Sequence, residues 1–209
     1  MKVLVLSAHS DDQVLGLGGT IAKHSKQGDK VVTVVYSAGE KSPVWTLKKE
    51  KLITQRMQET INADKILGVK KTIFLKYPDV KLQKFQNELN EKTLKIIREY
   101  KPEKIYVHHK KDLHPDHMAV WKACEYSLKK IKNTPEIYGY EVNSWFSPFT
   151  QQAELVVDIT KEYKKKLRAI KCYKTQRYLL FFLNPLLKLR GFHYSSIYGF
   201  KYAEAFYTY

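Results

Sequence analysis

Two short stretches of this chain concentrate side chains that bind metals and move protons: His9-Ser10-Asp11-Asp12-Gln13 and, about a hundred residues on, His114-Pro115-Asp116-His117. Each follows an apolar run, Val3-Leu4-Val5-Leu6 in the first case and Ile105-Tyr106-Val107 in the second, and each leads into a segment of helical spacing. A strand that ends in histidine and carboxylates just before a helix sets ligands and a base where open α/β proteins bind their ligands. Helix capping is the simpler account of Ser10, Asp11, Asp12 and Asp116, because short polar side chains accept first-turn N–H groups and carboxylates favour the positive helix end. Pro115 fits a first helical position. Capping is not what is expected of His9, His114 and His117, and two such junctions in one chain point to one shared metal site.

His9, Asp12 and His117 make a two-histidine, one-carboxylate set that leaves positions open for water and substrate, as catalytic zinc requires. Bound zinc brings a water pKa down to about 7 and polarises a carbonyl, which opens hydrolysis at neutral pH. Asp11, beside a ligand but directed elsewhere, is then available as general base. His114 could stabilise a tetrahedral oxyanion or protonate a leaving amine, with Asp116 holding its ring in the needed tautomer. Arg56 and Glu59, three apart, either pair on a helix surface or Arg56 faces the pocket. The same ligands accept Fe2+ or another divalent ion, and they are also the triad of non-haem Fe(II) oxygenases; the alternating α/β pattern of this chain counts against that second reaction class.

The elements that must position these groups follow in order. Residues 2–7 read as a buried strand and 14–27 as a helix stopped by Gly28-Asp29, with Gly16, Gly18 and Gly19 letting it pack closely on a sheet. Residues 31–36 form a second strand, followed by a loop, 37–43, suited to edging a pocket. A helix over roughly 46–67 is expected to turn Ile53, Met57 and Ile61 inward. Then come a strand at 72–75, a helix at 83–100, a strand at 104–108 and a helix after His117 using Val120, Cys124, Leu128 and Ile131. This alternation predicts a single-domain, Rossmann-like, doubly wound and mostly parallel sheet over residues 1–209, with helices on both faces. In the strand order 3-2-1-4-5 the two His/Asp clusters follow neighbouring strands at the point where the winding reverses. Further strands are expected at 136–141 and 154–158, a helix over 159–173 and a last strand within 199–206; the aromatic stretch 143–149 suits a substrate-lining loop.

Among 209 residues, Lys and Arg number 37 against 21 Asp and Glu, a formal charge of +16 that favours anionic partners. The cations are scattered and no nucleic-acid recognition motif accompanies them, so a solvated basic surface is the ordinary reading. A basic module binding polyanions through a vestigial site is the competing function class. Cys124 and Cys172 show no pairing pattern, and no secretory signal precedes the first strand, so a cytoplasmic setting is expected. The apolar stretch 178–187 is broken by Asn184-Pro185 and is shorter than the roughly 20 residues of a membrane span; no transmembrane segment is expected. A small-molecule or glycoconjugate substrate is the expected partner, and the pattern is compatible with a homo-oligomer.

The chain resembles the LmbE-like (PIG-L) de-N-acetylases, whose signature is Ala-His-Pro-Asp-Asp-Glu after the first strand and His-Pro-Asp-His after a later one. Here these read Ala8-His9-Ser10-Asp11-Asp12-Gln13 and His114-Pro115-Asp116-His117. Further echoes are Arg56 with Glu59, Asp158-Ile159-Thr160, Tyr173 with Gln176, and Tyr202-Ala203-Glu204-Ala205-Phe206. The resemblance implies zinc ligands at His9, Asp12 and His117, a base at Asp11, an assisting pair at His114 and Asp116, and substrate contact at Arg56. It further implies removal of an acetyl group from an N-acetylated amino sugar. Ser10 departs from the family proline and Gln13 from its glutamate, the latter implying loss of a negative charge beside the metal.

Overall fold

The computed structural model describes residues 1–41, 48–142, 153–177 and 196–209. The chain runs β1 (Lys2–Ser7), α1 (Asp12–Lys26), β2 (Lys30–Ser37), α2 (Lys49–Leu67), β3 (Lys71–Tyr77), α3 (Gln86–Tyr100), β4 (Lys104–His108), α4 (Pro115–Leu128), β5 (Glu136–Tyr140), β6 (Leu155–Asp158), α5 (Tyr163–Ile170) and β7 (Ala203–Thr208). Short 3-10 turns at Leu82–Phe85 and Lys174–Gln176 flank two of these. The sheet order is β3-β2-β1-β4-β5-β7-β6. The first five strands are mutually parallel, and β7 lies antiparallel between β5 and β6.

The unbroken apolar runs of the inner strands are buried on both faces, as parallel strands covered by helices must be. Within β1, Val3 and Val5 face the layer made by α1, α2 and α5, where they meet Leu17, Ile21, Leu67 and Ala169. Leu4 and Leu6 face the opposite layer of α3 and α4, with Leu89, Ile97, Val120 and Cys124. This period of two is what lets one short strand seed two cores.

The winding reverses between β1 and β4, which pair directly with Leu4 opposite Ile105. Both His/Asp clusters therefore leave the sheet at adjacent carboxyl ends. The glycines of α1 serve close packing: a Cβ on Gly16 would lie 2.4 Å from the Tyr140 ring, and one on Gly19 would lie 2.6 Å from Ile159. α1 kinks at Leu17, whose φ of −145° is not helical. Two buried charges satisfy the backbone groups near the kink. Lys166 Nζ donates to the Leu15 carbonyl at 2.8 Å and to Glu204 at 2.6 Å, and Glu204 accepts from the N–H groups of Gly19 and Thr20.

The inner face of α2 differs from the expected Ile53, Met57 and Ile61. Its buried residues are Leu52, Arg56, Glu59, Thr60, Ala63, Asp64 and Leu67, while Ile61 is exposed. Hydrophobic spacing misplaced this face because the helix packs beside a polar site, where Glu59, Thr60 and Asp64 have their hydrogen-bond partners. Ile53 and Met57 instead line an open cleft with Ser37, Ala38 and Glu40 at the end of β2 and in the loop after it, so that loop does edge a pocket. The expected aromatic loop at 143–149 and the apolar stretch 178–187 lie outside the described residues. Among the described residues, no helix is long and apolar enough to cross a membrane.

Candidate metal centre and active site

The structure brings His9, Asp12 and His117 together: one ligand atom from each lies within 4.8 Å of the others. Asp12 stands in the first turn of α1, with its Oδ2 accepting the His9 backbone N–H at 2.7 Å. That contact fixes the turn between strand and helix. Asp12 Oδ2 then lies 3.4 Å from His9 Nδ1 and 3.6 Å from His117 Nε2.

The far nitrogen of each ring meets a carboxylate. His9 Nε2 is 3.2 Å from Asp79 and 3.3 Å from Asp116. His117 Nδ1 is 2.8 Å from Asp112. A carboxylate on one imidazole nitrogen fixes the tautomer and turns the other lone pair toward a metal, so the donor set fits a divalent ion on His9 Nδ1, Asp12 and His117 Nε2. Two other His/Asp groupings are close enough to count, His9-His114-Asp116 and His108-Asp112-His117. Their carboxylates are the ones that back the first set, Asp116 beside His9 Nε2 and Asp112 beside His117 Nδ1, and they also accept backbone N–H groups from Val80 and Leu82 and from His114.

Electrostatics reflects this crowding. Burial would lower His9, but the charge of Asp12 and its contacts with Asp116 and Asp79 outweigh that and hold it well above the usual histidine value. Burial would raise Asp12, yet His117, His9 and His108 hold it well below the carboxylate range. Asp11 is pushed up to about 6 by burial and by the charge of Asp12, against the pull of His9 and Arg56.

Asp11 occupies the N-cap position of α1 without capping it through its side chain. Its Oδ2 instead accepts from Gln176 Nε2 at 2.8 Å. His114, by contrast, does cap α4: its Nδ1 accepts the Asp116 backbone N–H at 3.2 Å. With Nδ1 an acceptor, the neutral ring carries its proton on Nε2, and burial together with the charges of His117 and His9 lowers its pKa. The group of Asp116 that orients this ring is thus its backbone N–H. Its carboxylate is taken by the Val80 and Leu82 N–H groups and by His9.

Arg56 is fully buried, and among the described residues none of its three guanidinium nitrogens has a hydrogen-bond partner. The surface pair with Glu59 does not form, because Glu59 accepts both the N–H and the hydroxyl of Thr175. Gln13 has its partners on α2 and on the segment after α5. Its Nε2 donates to Asp64 at 3.2 Å and lies 3.4 Å from the Tyr173 hydroxyl.

The sequence reading passed over Asp79, His108, Asp112 and the contact of Gln176 with Asp11. His108 stacks on His117 with centroids 3.9 Å apart and accepts the Ala8 N–H at 2.9 Å. Burial and the His117 charge bring it down to about 4. A signal existed: His108 ends β4, Asp112 precedes the second cluster by two residues, and Asp79 follows the end of β3. His108 sits at the carboxyl end of its strand and Asp79 and Asp112 lie on the loops just beyond such ends, where ligands bind.

A doubly wound sheet with a His/Asp cluster at its reversal point defines an α/β enzyme with a candidate metal centre. The chain belongs to the PIG-L family, described as GlcNAc-PI de-N-acetylase, whose pattern matches residues 4–126. An uncharacterized deacetylase of Escherichia coli K12, YaiS, is 31% identical over 179 residues, covering 83% of this chain and 90% of its own. The 4-oxalmesaconate hydratase of Pseudomonas putida KT2440 is 29% identical over 212 residues, covering 91% of this chain and 80% of its own. The solved N,N'-diacetylchitobiose deacetylase from Pyrococcus horikoshii, complexed with its inhibitor, matches with a TM-score of 0.86 at 27% identity, over 100% of this chain and 83% of its own. Family and deacetylase relatives together indicate a hydrolase acting on amide bonds.

Proposed function

We propose that the protein is a zinc-dependent hydrolase that removes the acetyl group from an N-acetylated amino sugar of the N-acetylglucosamine type. The observation that carries this is the convergence of His9 Nδ1 and His117 Nε2 on Asp12, each ring backed by a carboxylate, with Asp11 beside them bound to Gln176. Zinc bound there would supply Lewis acidity, lowering the pKa of water toward about 7 and polarising the amide carbonyl.

The chain's own groups then divide the work. Asp11 accepts a proton from the attacking water as its oxygen bonds to the carbonyl carbon. His114, with Nδ1 occupied by the Asp116 N–H, turns an Nε2–H donor to the developing oxyanion. The proton held by Asp11 passes to the amide nitrogen as the C–N bond breaks, leaving acetate and a free amine. Arg56, buried and without a hydrogen-bond partner among the described residues, offers its donors to sugar hydroxyls or to an anionic substituent. The formal charge of +16 draws such an anion in.

Acetate release from N,N'-diacetylchitobiose and from glucosamine N-acetylated compounds with and without an anionic group tests this. Asp11→Asn should keep metal and lose about 10²–10⁴-fold in turnover. Full activity in that variant would remove Asp11 as base. A hydratase, the activity named for one relative, would consume water without releasing acetate, so acetate itself is the discriminating product.

A further inference from the structure

The segment Tyr173–Gln176 is tied to the first cluster through Tyr173 and Gln176 and to α2 through Thr175. The Tyr173 hydroxyl donates to the Ser10 carbonyl at 2.7 Å. Thr175 donates its N–H at 3.0 Å and its hydroxyl at 2.6 Å to Glu59, on the same buried face of α2 as Arg56. Gln176 Nε2 donates to Asp11 Oδ2 at 2.8 Å. Ser10 is held from the other side too, its carbonyl accepting from Thr60 at 2.9 Å. A turn of so few residues would be poorly ordered by its own backbone; here Glu59 and Ser10 fix it, and it fixes Asp11.

Gln176 is 5% exposed and uses only one end of its amide. Its Oε1 is buried and without a partner among the described residues, at the other end of the amide that bonds Asp11; the charge of Arg56 acts on that same carboxylate, and its three nitrogens are likewise unpartnered among the described residues. A buried acceptor left unpaired costs free energy unless a ligand supplies a donor. Arg56 calls for acceptors and Gln176 for an N–H or O–H, which is the mixed hydrogen-bonding character of an acetamido sugar.

From this geometry we infer that Gln176 works at both ends: its Nε2–H fixes the Asp11 carboxylate so that the other oxygen faces the attacking water, and its Oε1 accepts an N–H or O–H of the bound acetamido sugar. The inference rests on the proposed deacetylation and adds a positioning and recognition residue to it. Asp11 is one bond rotation away from presenting the wrong oxygen, and α1 gives its side chain no capping bond to prevent that. A hydrogen bond to a charged group is the strong kind, so losing it should show in rate.

The test uses Gln176→Leu with metal content and melting temperature checked against wild type. The expected result is a loss of roughly ten- to hundredfold in kcat on N,N'-diacetylchitobiose, with metal retained. In an Asp11→Asn background the same substitution should cause no further loss in kcat, because the group it positions is gone. Calorimetric binding of N,N'-diacetylchitobiose to Asp11→Asn should still weaken when Gln176→Leu is added, reporting the Oε1 end. An undiminished kcat in Gln176→Leu, or an equal loss in both backgrounds, overturns the positioning role. Unchanged binding overturns the recognition role. Should the wild type release no acetate, the proposed function fails, and the crystal structure of Gln176→Leu decides on Gln176 independently: a rotated Asp11 carboxylate supports the inference, and an unmoved one overturns it.

Discussion

Gln13→Glu isolates a feature of this chain that its sequence motif alone misplaces. Gln13 is fully buried, with its Nε2 3.2 Å from Asp64 Oδ1, and Asp64 also accepts from the hydroxyls of Thr33 and Thr72. Burial raises the Asp64 pKa, while those three donors pull it back. Glutamate at position 13 would set two carboxylates against each other, so one of them must stay protonated. Holding a carboxyl of ordinary pKa near 4.3 protonated at pH 7 costs about 1.4 kcal/mol per pH unit, roughly 4 kcal/mol in all. The sign follows from linkage: a carboxyl whose folded pKa is raised holds its proton in the folded state and loses it on unfolding, so stability falls as pH rises above the unfolded pKa. The penalty should therefore be near its full size at pH 7 and shrink to about 1 kcal/mol by pH 5. Urea unfolding of wild type and Gln13→Glu at the two pH values measures it, and adding Asp64→Asn should restore most of the loss. Equal stability of Gln13→Glu and wild type at pH 7 would mean that neither carboxyl is forced to hold a proton there. A variant whose main change is tighter metal binding is the result expected if position 13 faced the metal.

Asp112→Asn leaves His117 without its charged partner and should weaken metal binding by about 10–100-fold while the protein stays folded, as measured by competition with a chromophoric chelator. Arg56→Ala should raise KM with metal content unchanged, and normal kinetics would leave that buried guanidinium without a substrate role. Lys166→Met strands the Glu204 charge beside the kink in α1, and breaking a buried pair of this kind costs about 3–5 kcal/mol by chemical unfolding. The two N–H groups that Glu204 retains place the expected value at the low end.

Much of the fold was legible because the strands here are short apolar runs between turn residues. The run 104–108 is a strand with the expected bounds, and the parallel order around β1 and β4 follows from right-handed crossovers. The edges were harder. Residues 83–100 divide into a 3-10 turn and a helix, and the helix expected over 159–173 forms only at Tyr163–Ile170. In α2 the apolar pattern was a poor guide because the buried face serves a site and carries Arg56, Glu59, Thr60 and Asp64. The juxtaposition of His9, Asp12 and His117 could be read from topology and motif together. The hydrogen bonds that orient them could not: Asp79 and Asp112 lie on loops, and nothing in local spacing tells which imidazole nitrogen a carboxylate will meet. Capping was also divided in a way spacing does not reveal, with His114 capping its helix and Asp11 left to bond Gln176.

The proposed deacetylation depends on one divalent ion held by His9, Asp12 and His117. The direct measurement is acetate release from N-acetylglucosamine compounds by chelator-stripped protein as zinc is titrated back, alongside bound metal in wild type and His117→Ala. Stripped wild type should release no acetate and recover fully at one zinc per chain, and His117→Ala should show neither metal nor activity. Acetate release from metal-free protein, or unchanged metal content in His117→Ala, would contradict that dependence.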